Sequence, residues 1–260
     1  MPQPQELFVE NLVATGTCWS IGRDDRQIGY AVIHGAETLV ELHVRTPELR
    51  CLVAAFEELA GACGVRRILA KSFDPTLMFV ALLRPRQVRT TGLLYRVIVD
   101  PGFAVDAVIG VRAATPNDLA PLLGLGADFF DGPAEIEDYT AAGGLMIYEA
   151  ADGVPLGAGV MKRVVPGRDD VDIGMVVDPG RRRRGHGAYI IAHLKAHCLA
   201  RGWRPICGCA VDNLASRRTL ERAGFASRHG LVEFELSGSP PPRTGPARRA
   251  RLGGRPPGPT

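Results

Sequence analysis

Between residues 108 and 238 the apolar and polar positions alternate in the way that a mixed α/β domain requires. Periodic segments from Thr115, Pro133, Gly187 and Asn213 predict helices that end near Leu123, Thr140, Ala200 and Ala223. Thr115 and Pro116 form a helix-start signal, and Gly202 and Gly224 are typical helix stops. Short apolar runs predict six strands, at Val108–Val111, Gly144–Glu149, Pro155–Val164, Val171–Val177, Pro205–Val211 and Leu231–Leu236.

An internal repeat divides the chain into two similar halves. Residues 62–97 align without a gap on residues 200–235, and nine of the 36 positions are identical. An upstream segment, residues 28–33, aligns on residues 156–161. We therefore expect two homologous domains, at about 1–105 and 108–238, of which the second is longer.

The segment 239–260 differs in composition from both halves. Proline, glycine and arginine dominate it, so it lacks the apolar residues of a core and we expect it to be disordered. The five arginines of this tail also account for the net charge of +3, which becomes −2 without them. A slightly acidic body makes nucleic-acid binding an unfavoured hypothesis, confined to the tail.

The overall composition is that of a globular protein. The chain is 46% hydrophobic and 23% charged, and no apolar run has the length of a membrane helix. Met1–Gln5 has no signal-peptide pattern, and the six cysteines show no disulfide framework, so we expect a cytoplasmic protein, as a monomer or homodimer. Cys207 and Cys209 form C-x-C, and His193 and His197 lack the glutamate of H-E-x-x-H, so we expect no metal site.

The most informative stretch is the Gly/Arg loop at residues 176–189, which follows a predicted strand and leads into a helix. A helix N-terminus offers free N–H groups and a partial positive charge, so it favours an anion such as phosphate. Gly180 and Gly185 have Walker A spacing, but His186 and Gly187 replace the Lys-Ser/Thr pair, which disfavours an NTPase. A dinucleotide fold would place its fingerprint after the first strand instead.

The same loop resembles the pyrophosphate loop of the GNAT superfamily of N-acetyltransferases, V-x-P-x-x-[RQ]-x-x-G-x-[GA]. The matching residues are Val177, Pro179, Arg182, Gly185 and Gly187. A second segment, residues 213–225, resembles N-x-x-[AS]-x-x-x-[YL]-E-[KR]-x-G-F of the same superfamily. The resemblance covers 108–238 well and the first half more loosely, so the chain is similar to two-domain bacterial GNAT proteins, with tandem folds and a degenerate first half.

The resemblance implies acetyl-CoA as co-substrate, held between two splayed strands, Val171–Val177 and Pro205–Val211. It implies that N–H groups from Arg183 to Ala188 hold the pyrophosphate and that Asn213 and Ser216 reach the pantetheine arm. The implied cofactor-binding residues are Met175, Val176, Val177, Arg182, Arg183, Arg184, Gly185, His186, Gly187, Ala188, Asn213 and Ser216.

Two positions depart from the superfamily at the reacting centre. Leu220 stands where a tyrosine often acts as general acid, and Gly208 lies near the position of a frequent glutamate. The remaining candidates for proton transfer are Asp172, Ser216, Tyr189 and Cys209, with Asp172 and Ser216 preferred and a water chain as a substitute. These departures keep open a second hypothesis, a non-catalytic acyl-CoA sensor.

The expected acceptor is a small-molecule or peptide amine. Residues 113–161 contain no Lys or Arg, and their acidic residues suggest a cationic acceptor, although a plain solvated surface explains them equally well. These acids are Asp118, Asp128, Asp131, Glu135, Glu137, Asp138, Glu149 and Asp152. In the first half, residues 44–50 lack the glycine pair and Pro75 replaces Asn213, so we expect that half to be non-catalytic.

Overall fold

The computed structural model describes residues 6–99, 109–125, 129–237 and 251–253. Contacts among Cα atoms divide them into two compact units. The first contains Leu7–Gly92 and the residues from His229 onward, and the second contains Glu6 and Leu93–Arg228. The domain boundaries predicted at 1–105 and 108–238 stay a prediction. The two compact units are defined by contacts in space, whereas the predicted domains were defined by a repeat in the sequence.

The first unit is a mixed sheet with helices packed against it. Its sheet has the order β12-β1-β2-β3-β4-β11-β5. β3 and β4 are parallel, whereas β4 pairs antiparallel with the last part of β11. The elements are α1 Leu7–Thr15, β1 Thr17–Arg23, β2 Arg26–His34, β3 Thr38–Val44, α2 Leu52–Cys63, β4 Arg67–Lys71, α3 Pro75–Ala81, β5 Pro85–Ile98, β11 Phe225–Leu236 and β12 Arg251–Gly253.

The core of the first unit lies between this sheet and α2. Phe56 and Leu59 of α2 pack with Leu39 of β3, Ile68 of β4 and Phe234 of β11, and all five side chains are buried. The strand β11, which lies far from the other elements of this unit in the sequence, therefore contributes to its core.

After a first strand and two helices, the second unit repeats the order of the first, which is three strands followed by a helix, a strand, a helix and a strand. Strands β6 to β9 form antiparallel pairs, β10 runs parallel to β9, and Leu93–Ile98 of β5 lies beside β10. The elements between the shared strands are β6 Gly110–Ala113, α4 Leu119–Leu125, α5 Pro133–Ala141, β7 Leu145–Glu149, β8 Pro155–Arg163, β9 Asp170–Val177, α6 His186–Leu199, β10 Arg204–Ala210 and α7 Leu214–Arg222.

Each face of the second sheet has its own core. On one face Ile173 of β9 packs with Ile191 and Leu194 of α6. On the other face Val176 of β9 packs with the helices α4 and α5. Since successive strand residues point to opposite faces, the even-numbered residues of β9 lie on the side of α4 and α5.

The predicted elements of the second half are present, with shifted ends. Thr115 and Asp118 form a reciprocal capping box around a short 3-10 turn at Pro116–Asp118 that leads into α4, as the helix-start signal predicts. The first strand, predicted at Val108–Val111, is observed as Gly110–Ala113, and Val108 lies outside the described residues. β11 begins at Phe225, six residues before the predicted Leu231.

The early start of β11 has a tertiary cause. The apolar alternation on which the prediction depended is interrupted by Ser227, Arg228 and His229, but the Ser227 hydroxyl donates to the Leu94 carbonyl.

Within the tail predicted to be disordered, Arg251–Gly253 pair antiparallel with β1, and the remaining residues of the tail lie outside the described ones. Among the described residues no helix is both long and apolar enough to cross a membrane.

The variant Phe234→Ala tests the contribution of β11 to the first core. Its side chain is fully buried, so its loss should lower the free energy of unfolding by about 3–5 kcal/mol in a denaturant titration. The control Glu235→Ala, on the opposite face of the same strand, should cost less than about 1 kcal/mol. Equal effects of the two substitutions would contradict this packing.

Candidate functional site

A gap opens between the parallel strands β9 and β10. Their ladder comprises three residue pairs, Arg204 with Asp170, Pro205 with Val171 and Ile206 with Asp172. Beyond that point β9 continues to pair with β8 on its other side. The edge of β9 that faces the gap therefore leaves backbone groups available to a ligand near Met175–Val177.

The loop after β9 is shaped by its own side chains. The Asp178 carboxylate accepts a hydrogen bond from the Gly180 amide at 2.8 Å, which starts a short 3-10 turn at Pro179–Arg181. The Arg182 side chain returns to donate to the Val177 carbonyl at 3.2 Å. Arg183 then adopts a φ of +64°, a conformation that is costly for a residue other than glycine. Such a conformation is typical of functional loops.

The two glycines at the start of α6 have different roles. Gly185, the residue that precedes α6, has a φ of +89°, which glycine adopts without strain. A Cβ atom on Gly187 would lie 3.1 Å from the Thr219 Cγ2 atom and 3.3 Å from the Met175 Sδ atom. Gly187 thus allows α6 to pack closely against β9 and α7, a role that the sequence interpretation did not include.

A cavity of about 990 Å³ occupies the open end of this gap. The residues implied by the resemblance that line it are Met175, Val176, Val177, Arg182, Arg183, Gly185, His186, Gly187, Ala188, Asn213 and Ser216. Arg184 and Asp172 do not line it. The cavity therefore does not support the roles proposed for Arg184 in coenzyme binding and for Asp172 in proton transfer.

Sequence reasoning missed a second group of lining residues. Arg218, Thr219 and Arg222 of α7 face the cavity, as does Arg181 of the loop. Arg218 and Arg222 are four residues apart in a helix that begins at Leu214, so helical spacing could have placed them on one face. Leu125 of α4 and the neighbouring Phe129 add an apolar wall, which no local signal announces.

The cavity wall carries positive charge and, among the described residues, no carboxylate. Burial, followed by the charges of Arg184 and Arg181, lowers the pKa of His186, which stays neutral near pH 7. Together with the free N–H groups at the start of α6, these arginines favour a polyanionic ligand such as a diphosphate.

Asn213 and Ser216 lie at the start of α7. The Asn213 side-chain oxygen accepts a hydrogen bond from the Ser216 amide at 3.0 Å, so it caps the helix. Its side-chain NH₂ and the Ser216 hydroxyl remain the groups that could meet a ligand in the cavity.

The other candidates for proton transfer are less accessible. Tyr189 is buried against Tyr148, and Leu220 is buried in the same core. Burial raises the pKa of the Cys209 thiol, and it raises that of Cys207 well above its usual value. Both thiols therefore stay protonated. Of the preferred candidates, Asp172 lies where the β9–β10 ladder ends.

The acidic stretch forms its own interactions. The Arg112 guanidinium contacts Asp118 at 2.7 Å and Glu149 at 2.9 Å, and its hydrogen bond lowers the pKa of Asp118. Glu135 accepts a hydrogen bond from the Asp131 amide. Asp128 lies outside the described residues. These interactions weaken the argument that the acids of residues 113–161 attract a cationic acceptor.

The corresponding region of the first unit is built differently. β3 and β4 also pair only at their beginnings, through Thr38 with Arg67 and Leu39 with Ile68. The chain after β3 forms a 3-10 helix at Thr46–Cys51, and Arg23 contacts both Glu48 and Cys51 there. The Asp74 carboxylate accepts from the first amides of α3, so it occupies the donors that an anion would need.

His193 and His197, the metal candidates considered in the sequence, lie along α6. His193 Nδ1 and the Tyr148 hydroxyl share a hydrogen bond of 2.9 Å. His197 contacts the Trp203 ring. Burial lowers the pKa of both histidines. In the part of the chain that the structure describes, no three His, Cys, Asp or Glu residues group as metal ligands.

The lowered pKa of His193 makes a pH dependence of stability testable. An unfolded histidine takes up a proton below about pH 6.5, whereas folded His193 resists protonation, so the free energy of unfolding should fall as the pH drops from about 7 to 5. His193→Gln should reduce this slope while costing about 1 kcal/mol at pH 8 for the lost hydrogen bond. Urea unfolding at several pH values measures both quantities, and unchanged slopes in the variant would refute the assignment.

Comparisons with known proteins agree with this architecture. A family model described as an acetyltransferase (GNAT) domain matches residues 1–97, and one described as the acetyltransferase (GNAT) family matches residues 123–225. These two matches cover most of the chain, which therefore belongs to the GNAT acetyltransferases and contains two GNAT domains. No curated protein matches the chain.

Several solved structures share the tandem fold. An acetyltransferase of the GNAT family from Colwellia psychrerythraea is 16% identical, with a TM-score of 0.81 over 90% of this chain and 91% of that one. A tandem GNAT protein from the clavulanic acid biosynthesis pathway is 16% identical, with a TM-score of 0.55 over 92% and 91% of the two chains. A GCN5-related N-acetyltransferase from Kribbella flavida is 14% identical, with a TM-score of 0.54 over 89% and 93%. At these identities the likeness concerns the fold.

Proposed function

We propose that this protein is an acetyl-CoA-dependent N-acetyltransferase that transfers an acetyl group to a primary amine. The observation that carries this proposal is the arginine-lined cavity at the N-terminus of α6, which opens onto the unpaired edge of β9. In the second unit these two features occur together. We propose that the first unit does not catalyse transfer.

The residues of the cavity suit the parts of coenzyme A. The amides at the start of α6, with Arg182 and Arg183, would hold the diphosphate. The free edge of β9 near Met175 would hydrogen-bond the amide-containing arm as an additional strand does. Asn213 and Ser216 would contact the same arm from α7.

The chemistry needs little more from the protein than positioning and charge stabilisation. When bound, the coenzyme supplies an activated acyl group on a good leaving thiol. Amides on the free edge of β9 can donate to an oxygen that gains negative charge during attack. The gap brings an amine to the same place, and a nearby base must take its proton, because only a neutral amine is nucleophilic.

A non-catalytic acyl-CoA sensor is the alternative, and one observation favours it. Leu220 is buried in the core of the second unit and cannot exchange a proton with a departing thiolate. We favour the transferase because a coenzyme A thiolate leaves readily and can take its proton from water.

A panel of amines distinguishes the two functions. The chain is incubated with acetyl-CoA and spermidine, an aminoglycoside, a lysine peptide, or neutral and acidic amines, and released thiol is measured. A transferase should release thiol with at least one amine. A preference for the cationic amines would support the hypothesis that the acidic residues within 113–161 attract the acceptor. A sensor should bind acetyl-CoA in calorimetry without amine-dependent release.

Gly187→Glu tests the coenzyme site directly. The added carboxylate would stand at the start of α6, beside the positions proposed for the diphosphate, so we expect affinity for coenzyme A to fall at least 100-fold in calorimetry. Gly187→Ala is the matched control, since it adds the tight contacts with Thr219 and Met175 without the charge. A cooperative thermal transition should persist in both, and equal affinity of the two variants would contradict the assignment.

A further inference from the structure

Two glycines occupy equivalent positions on β9 and β10. Counting from the last ladder pair, Asp172 with Ile206, Gly174 and Gly208 are both two residues further along and on the same face. A Cβ atom on Gly174 would lie 3.4 Å from the Phe129 ring, so this is the face of α4 and α5. Val160 and Phe129 fill the space beside Gly174, whereas a Cβ atom on Gly208 would meet no atom closer than 3.4 Å, which leaves room there for an incoming amine.

A carboxylate from a distant part of the sequence lies at this place. Glu6 belongs to the second unit although it precedes α1, and its Oε1 atom lies 3.9 Å from the position that a Gly208 Cβ atom would have. The segment ahead of α1 thus brings a carboxylate to the space that a side chain at position 208 would enter.

A buried arginine accompanies this carboxylate. Arg96 of β5 donates from Nη1 to the Cys207 carbonyl at 2.9 Å and to the Tyr95 carbonyl at 3.1 Å. Its Nε and Nη2 atoms are buried and have no hydrogen-bond partner among the described residues. Burial lowers the pKa of Arg96, and the negative charges of Asp172 and Glu6 oppose that effect. Arg96, Asp172 and Glu6 therefore form one electrostatic cluster near the fork, the point after Asp172 and Ile206 where β9 and β10 separate.

We propose that Glu6 is the group that accepts the proton of the acceptor amine. This inference rests on the proposed transferase function. The amine nitrogen forms a bond to the thioester carbon, the carbon–sulfur bond breaks, and coenzyme A leaves as the thiolate. The proton lost by the nitrogen passes to the Glu6 carboxylate and then to water.

Glu6 suits this role better than the other carboxylates of the cluster. Asp170 forms an ion pair with Arg204 at the closed end of the ladder. Asp172 lies at the fork itself, two residues short of the glycine pair, and its side chain is one carbon shorter. Among the described residues, the Glu6 carboxylate is one of the three groups nearest to the position of a Gly208 Cβ atom, at 3.9 Å.

The decisive experiment moves the carboxylate from residue 6 to residue 208. With the best amine of the panel, Glu6→Gln should lower kcat about 100-fold, with a KM for acetyl-CoA within twofold of that of the wild type. Adding Gly208→Glu to Glu6→Gln should restore kcat at least tenfold, because a Cβ atom at position 208 makes no contact shorter than 3.4 Å. The matched control, Gly208→Gln with Glu6→Gln, should restore nothing.

A second measurement does not depend on turnover. Calorimetry of the same amine, titrated into protein saturated with free coenzyme A, should show about tenfold weaker amine binding in Glu6→Gln, because an ammonium loses its charged partner. Affinity for coenzyme A itself should stay unchanged. Thermal unfolding confirms that each variant is folded before it is assayed.

The outcomes separate the two proposals. If the wild type releases thiol but Glu6→Gln retains its kcat, or if the relocated carboxylate restores no more than the glutamine control, the role of Glu6 is wrong and the transferase stands. If the wild type binds coenzyme A but acetylates no amine, the transferase proposal fails and the role of Glu6 fails with it.

Discussion

The parallel ladder between β9 and β10 ends after Ile206, and the organisation of the second unit follows from that point. Parallel strands end at the same edge of a sheet, and each of these two strands is followed directly by a helix. The N-termini of α6 and α7 therefore meet at the open end of the gap, where both offer partial positive charge and α6, which has no side-chain cap, offers free amides. A ligand there can pair with a strand edge and bind its anionic end to helix N-termini simultaneously.

Packing and ligand chemistry share the residues around this opening. A Cβ atom on Gly187 would crowd Met175 and Thr219, whereas Gly185 is needed for its positive φ. The arginines of the loop and of α7 repel one another, and a bound anion would neutralise this repulsion. The loop is thus suited to a bound state as much as to the free one.

The two units differ in the loops and helix starts that follow their diverging parallel strands. Both contain parallel strands that diverge after a short ladder, at β3–β4 and at β9–β10. In the first unit the following loop has no glycine pair, and Glu48 and Asp74 bring negative charge to the helix starts. We therefore propose an anion site in the second unit and none in the first, as expected when function depends on side chains more than on fold.

The sequence by itself determined the order of the elements, the helix starts at Thr115 and Asn213, the Gly/Arg loop, and the membership of the GNAT superfamily that two motifs indicated. These are local properties, since caps, turns and periodic apolar faces depend on residues a few positions apart. The same locality explains why the arginines of α7, on one helical face, were available to sequence reasoning but overlooked.

Only the tertiary structure decided which distant residues meet. The strand β11 completes the first core, Arg112 neutralises acids that a sequence count left unpaired, and Glu6 lies beside Gly208 although 202 positions separate them. Such contacts depend on strand order and on where each chain segment ends in space. The strand order and the positions of the segment ends do not follow from a pattern within one segment. Which strands pair depends on how all the segments together bury their apolar residues.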